Sequence, residues 1–136
     1  MDRAKIFIVD DEEEARITLK RFLSRKLECD IQEASDGREA LDILKRETFD
    51  IILLDVKMPG ISGIDVLKKT RTTHPDTDIL VITAYDSKQV AKEVFKGGAV
   101  EYFTKPLTVE AIHTKIIEIL KRKNKYLPKI PKTNSS

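Results

Sequence analysis

The sequence predicts an α/β domain built around a parallel sheet, and three observations carry that expectation. Residues 51–54, Ile-Ile-Leu-Leu, are apolar without alternation, which suits a strand covered on both faces. The run stops at Asp55, and Met58-Pro59-Gly60 then forces a loop, so an acid stands at the carboxyl end of a strand. Along the 136 residues, strand-like and helix-like patterns alternate five times, which implies parallel strands joined by right-handed crossovers.

In chain order, residues 6–9 form a buried strand that runs into Asp10-Asp11. A first helix extends to about residue 26, with Ala15, Leu19, Phe22, Leu23 and Leu27 on one face. Glu12, Glu13 and Glu14 fall in its first turn, where the helix dipole favours anions. A second strand at 30–34 leads to a second helix at 37–46, capped by Ser35 or Asp36, with Ala40, Leu41 and Leu44 facing inwards. The third strand ends at Asp55, and the loop 57–63 leads to a third helix at 64–72, stopped by His74-Pro75. Residues 79–82 are a fourth strand ending in Thr83-Ala84. Asp86 or Ser87 caps a fourth helix with Val90, Ala91, Val94 and Phe95 at helical spacing, closed by Gly97-Gly98. A fifth strand at 100–103 precedes Thr104-Lys105-Pro106, and a fifth helix follows Thr108, with Val109, Ile112, Ile116, Ile119 and Leu120 on one stripe.

Composition excludes several classes. The chain is 40% hydrophobic and 35% charged, and it has no apolar stretch long enough for a membrane span or a signal peptide. The single cysteine, Cys29, has no partner for an internal disulfide and no neighbours at metal-ligand spacing, which suits a reducing cytoplasm. Net charge is +2, but residues 121–136 hold six basic residues and no acid. That leaves 19 basic against 23 acidic residues in 1–120, a body of net −4 followed by a basic segment. The expected organisation is one domain over 1–123 and a basic linker or tail over 124–136.

The strand ends carry the chemistry. They deliver Asp10 and Asp11, Asp55, Thr83, and Lys105, and in a parallel sheet all of these lie on one edge. Taken singly, each such residue is an ordinary loop opener. Together they place three carboxylates that repel one another, which invites a cation. Hard oxygen donors with room for water and a phosphate suit Mg²⁺. A lysine and a hydroxyl opposite the cluster supply a point charge and a donor for a phosphoryl group.

The segments VDD at 9–11, LLDVKMPG at 53–60, TAY at 83–85 and YFTKP at 102–106 resemble the receiver domain of two-component response regulators, over about residues 5–121. The resemblance implies a doubly wound (βα)5 fold, sheet order 2-1-3-4-5, with helices on both faces. It implies that Asp55 accepts a phosphoryl group from a histidine kinase or a histidine phosphotransfer protein. Asp10, Asp11, Asp55 and the backbone carbonyl of Lys57 would then serve Mg²⁺. Thr83, the Ala84 amide and Lys105 would bind phosphoryl oxygens. Thr83 and Tyr102 would form the switch that alters the face of helix 4, strand 5 and helix 5. Lys105-Pro106 would be cis, and Lys57 and Tyr85 would flank the path of a hydrolytic water. Such a domain is a signalling module, not an enzyme with a separate substrate. A phosphorylation-dependent dimer or a downstream effector fits it, and direct nucleic-acid binding or a membrane partner does not.

Two other α/β readings compete. A flavodoxin needs a hydroxyl- and glycine-rich phosphate loop after strand 1, where this chain has Asp-Asp-Glu-Glu-Glu. A phosphatase using an aspartyl phosphate would carry Asp-x-Asp there, and here the acids are adjacent. Within the receiver reading, the combination of Lys57, Thr83-Ala84-Tyr85 and the ending KYLP resembles single-domain sporulation-type phosphorelay receivers. It equally suits a receiver cut from a longer DNA-binding regulator.

Overall fold

The computed structural model describes residues 2–58, 60 and 62–130. Its elements are β1 (Ala4–Val9), α1 (Glu13–Lys26), β2 (Cys29–Ala34), α2 (Gly37–Leu44), β3 (Ile51–Leu54), α3 (Gly63–Thr73), β4 (Asp78–Thr83), α4 (Lys88–Lys96), β5 (Glu101–Thr104) and α5 (Val109–Arg122). All strand pairs are parallel and the order is β2-β1-β3-β4-β5. The order reverses beside β1, so the crevice between the ends of β1 and β3 is where such sheets place a site.

Period-two alternation sorts the central strands into two cores. Phe7, Val9, Ile52, Leu54, Ile79 and Val81 face α2, α3 and α4, where they meet Ala40, Ile43, Leu44, Val66, Leu67 and Val94. Ile6, Ile8, Ile51, Leu53, Leu80 and Ile82 face the other way, onto Leu19 and Leu23 of α1 and Ile112, Ile116, Ile119 and Leu120 of α5. This is why residues 51–54 show no alternation: both faces of β3 are dry. The described residues contain no helix long and apolar enough to cross a membrane.

Several local expectations are corrected. Glu12 is the N-cap of α1 and not part of its first turn, and Leu27 is its extended C-cap, although still buried. Of the two candidate caps for each helix, Asp36 and Ser87 do the capping, accepting from the Glu39 and Val90 amides. The second helix stops at Leu44, where Ile43 is buried and Leu41 only partly so. Phe95 is not an inward residue: α4 packs chiefly through Val94, and Phe95 stays 47% exposed. Val100 precedes β5 and is exposed.

The basic segment expected to leave the domain at 124 stays on it as far as 129. Asn124, at φ 59°, reverses the chain after α5. Tyr126 then joins the core beneath α1 and α5, with the Lys121 ammonium 5.3 Å from its ring centroid. The Glu28 amide donates to the Leu127 carbonyl (2.8 Å) and the Lys129 amide to the Lys26 carbonyl (2.9 Å), an antiparallel bridge around Pro128. The bridge uses the groups on either side of Pro128, so the missing N–H costs nothing there. Lys125 pairs with Asp50 at 2.9 Å, and Lys129 Nζ donates to the Ser24 carbonyl at 2.6 Å. A composition reading sees only the charges here; the lysines serve as straps because carbonyls and Asp50 lie within reach. Residues 131–136 of the expected tail lie outside the described residues.

A chain ended at Lys123 should therefore lose about 1–3 kcal/mol in a urea denaturation experiment, from four backbone hydrogen bonds made by residues 124–129 and the cover of Tyr126. An unchanged midpoint would show that the segment contributes nothing.

Candidate functional site

Each central residue of the site is the first one past its strand, and each is still tied to the neighbouring strand. The Asp10 amide donates to the Ala34 carbonyl (3.1 Å), the Asp55 amide to Val9 (2.9 Å), and the Lys105 amide to Thr83 (2.8 Å). The register continues the ladder in which Val9 lies opposite Leu54 and Thr83 opposite Thr104. Backbone pairing thus aims these side chains before any side-chain contact forms. Gly63 adds a further constraint. A Cβ there would stand 2.2 Å from Val56 Cα and 2.6 Å from the Asp55 carbonyl oxygen, so α3 begins directly against the backbone beyond β3. Only glycine permits that approach.

Lys105 is the centre of the charge arrangement. Its ammonium lies 2.9 Å from Asp10 Oδ2 and 3.0 Å from Asp55 Oδ2, and it also contacts the Glu12 carboxylate. Asp10 and Asp55 are buried, and the lysine side chain is only 11% exposed. Burial works against the ammonium, yet hydrogen bonds to Glu12, Asp10 and Asp55 outweigh it and raise the Lys105 pKa. Burial raises the Asp10 pKa, with the Asp55 charge adding to it, and the Glu12 amide and Lys105 only partly offset this. The hydrogen bond from Lys105 lowers the pKa of Glu12. The second oxygens are also used: Asp10 Oδ1 accepts from the Glu12 amide (2.9 Å) and Asp55 Oδ1 from the Lys57 amide (2.8 Å).

Asp10, Asp11 and Asp55 offer carboxylate oxygens that all lie within 4.8 Å of one another, with Asp11 exposed and the other two buried. An all-oxygen set with one solvent-facing member fits Mg²⁺, which keeps several of its waters.

Thr83, Ala84 and Tyr102 form a second group. Thr83 is fully buried and its hydroxyl accepts weakly from the Tyr85 amide (3.4 Å), while the Tyr102 hydroxyl donates to the Tyr85 carbonyl. The two predicted switch residues therefore grip opposite ends of one residue's backbone. Tyr102 is half-buried against the core of α2, α3 and α4. Lys57 lies over the Tyr85 ring, its ammonium 5.2 Å from the centroid, so the two flanking residues stack on each other. Ala84 is exposed, and Lys105-Pro106 is cis.

The structure brings Asp10, Asp11, Asp55 and Lys105 together as the sequence suggests. Among the described residues, the backbone bond from the Lys105 amide to the Thr83 carbonyl ties that group to the cluster, and no side-chain hydrogen bond of Thr83 or Tyr102 reaches it. Two contributors escaped the sequence. Gly63 looked like one more loop glycine, and Glu12 like a helix-dipole acid; nothing local signals a partner 93 residues away.

A response regulator receiver domain model matches residues 6–117. The chain is 34% identical over 134 residues to the response regulator protein PilR of Pseudomonas aeruginosa, covering 98% of this chain and 30% of that protein. It is also 34% identical to the sporulation initiation phosphotransferase F of Bacillus subtilis, covering 94% of this chain and 97% of the relative. Among solved structures it resembles a response regulator protein of Burkholderia pseudomallei that holds a phosphorylated aspartic acid, a calcium ion and citrate. That match has a TM-score of 0.78 and 30% identity, and covers 90% of this chain and 72% of the other.

Because its pKa is raised on folding, ionised Asp10 lowers stability at neutral pH, and the cost vanishes as pH falls through the folded value. Asp10→Asn keeps the acceptor for the Glu12 amide and removes the charge. It should raise the denaturation midpoint at pH 7, with a gain that shrinks towards pH 4 or so, about the ordinary carboxylate value. A lower midpoint at pH 7 would mean that the pair with Lys105 outweighs the burial.

Proposed function

The chain belongs to the response regulator receiver domain family, and from that membership we propose a role for each residue at the sheet edge. Asp55 accepts a phosphoryl group from a phosphohistidine of a kinase or phosphotransfer protein. The observation that carries this is its setting: a buried carboxylate at the end of the central strand, with one oxygen on an amide and the other on Lys105. The attacking Asp55 oxygen bonds to phosphorus in line as the P–N bond to the donor imidazole breaks. The imidazole nitrogen keeps that electron pair and takes a proton from solvent. Positioning and charge neutralisation carry most of such a transfer.

Lys105 neutralises one phosphoryl oxygen, and Thr83 and the Ala84 amide bind the others. Asp10, Asp11 and Asp55, with the Lys57 carbonyl, would hold Mg²⁺, which when bound supplies positive charge to the transferring oxygens. Turning towards the phosphoryl group, Thr83 gives up its weak bond at Tyr85. Tyr102, tied to the same residue, then follows into the vacated space. The face of α4, β5 and α5 carries the signal, to an effector or to a second copy of the chain. The domain turns over no separate substrate. Lys123, Lys125 and Lys129 are engaged with its own carbonyls and acids, which supports a protein partner over nucleic acid.

Incubation with acetyl phosphate and Mg²⁺ should add one phosphoryl group by mass, and Asp55→Asn should add none. Full labelling of that variant would refute the assignment.

The phosphoryl group should be long-lived. Lys57 and Tyr85 crowd the approach of water, and neither is a general base at neutral pH. Lys57→Asn frees the Tyr85 ring and opens that approach, and should shorten the half-life several-fold in Mg²⁺ buffer. Equal decay rates would remove Lys57 from this role.

A further inference from the structure

We propose that Glu12 is a counter-ligand of Lys105, holding the ammonium in the unphosphorylated chain and competing with the phosphoryl group for it. The proposal rests on Asp55 being the phospho-acceptor. Glu12 occupies the N-cap of α1, where a side chain ordinarily accepts from the helix amides, and its carboxylate makes no such bond. It reaches instead to Lys105 at the far edge of the sheet. The main chain supports that reach, because Asp10 Oδ1 holds the Glu12 amide at 2.9 Å. Arg16 holds the Asp10 carbonyl at 2.7 Å.

The count of donors makes the competition. An ammonium has three N–H donors, and three carboxylates surround this one: Asp10, Asp55 and Glu12. Bonding to phosphorus converts the Asp55 carboxylate into an acyl phosphate, so the phosphoryl oxygens inherit the donor Asp55 used and compete with Asp10 and Glu12 for the other two. Asp10 is 4% exposed at its side chain, and losing the lysine would leave it a buried, unpaired charge. Glu12 is 61% exposed, so water replaces the lost contact. Glu12 is therefore the group displaced, and the incoming phosphoryl charge repels it as well. Once released, it joins Glu13 and Glu14 as a third free acid at the start of α1, so phosphorylation also alters charge on that helix.

The test measures beryllofluoride affinity and the rate of labelling by acetyl phosphate in wild type, Glu12→Gln and Glu13→Gln. In labelling, the P–O bond to acetate breaks as Asp55 bonds to phosphorus, and acetate leaves. Glu13→Gln removes the same charge one residue on, without a contact to Lys105. Glu12→Gln should bind beryllofluoride about two- to fivefold more tightly, the range of an exposed ion pair, and label faster by a similar factor. Glu13→Gln should stay near wild type, and all three should unfold at similar midpoints. An unchanged Glu12→Gln, or an equal shift in Glu13→Gln, would overturn the proposal. A wild type that takes neither probe at Asp55 would overturn the phospho-acceptor reading itself, and the proposal with it.

Discussion

Two buried carboxylates from neighbouring strands, Asp10 and Asp55, must lie side by side at the edge of the sheet, and one ammonium makes that tolerable. Like charges at this distance in a dry setting repel strongly, and burial alone already disfavours Asp10 in its ionised form. Lys105 relieves both costs. It does so from β5, two strands away from β3, so the arrangement exists only when the whole sheet has assembled. Chemistry and folding are thereby joined: the site is a late product of the fold, not a local motif that folding later surrounds.

The two-sided core is what keeps this geometry firm. β3 and β4 are buried on both faces, and their ends have little freedom to drift. The residues just past them inherit that rigidity through one more hydrogen bond each. By contrast α4 leans on the sheet through one fully buried side chain, Val94, and leaves Phe95 exposed. The element expected to move is thus the one with the lightest anchoring, and the elements that hold the acids are the heaviest.

Much of this was legible in the sequence, for identifiable reasons. Uninterrupted apolar runs marked β3 and β4, and an acid, a hydroxyl or a lysine directly after a run marked the edge. Those signals are local and periodic. What stayed hidden depends on distance. Glu12 resembles any acid opening a helix until its carboxylate is seen on Lys105. Gly63 resembles any turn glycine until the Val56 backbone is seen beneath it. The segment after α5 has the composition of a solvated linker, and only the carbonyls of Ser24 and Lys26 and the acid of Asp50 turn its lysines inwards. Helical spacing likewise grouped Phe95 with Val90, Ala91 and Val94, because a stripe wider than the available sheet cannot be recognised from one helix alone.

The fold-back of residues 124–129 has a geometric consequence. It fastens the chain at the junction of α1 and β2, the end of the sheet opposite Asp55. A six-residue strand such as β2 is about 20 Å long, so anything fused beyond residue 130 is moored roughly that far from the acids. A shift of α5 or a loosening of the mooring would reach whatever is attached there directly, which makes the attachment point a mechanical terminal and leaves the acidic edge uncovered by residues 124–129.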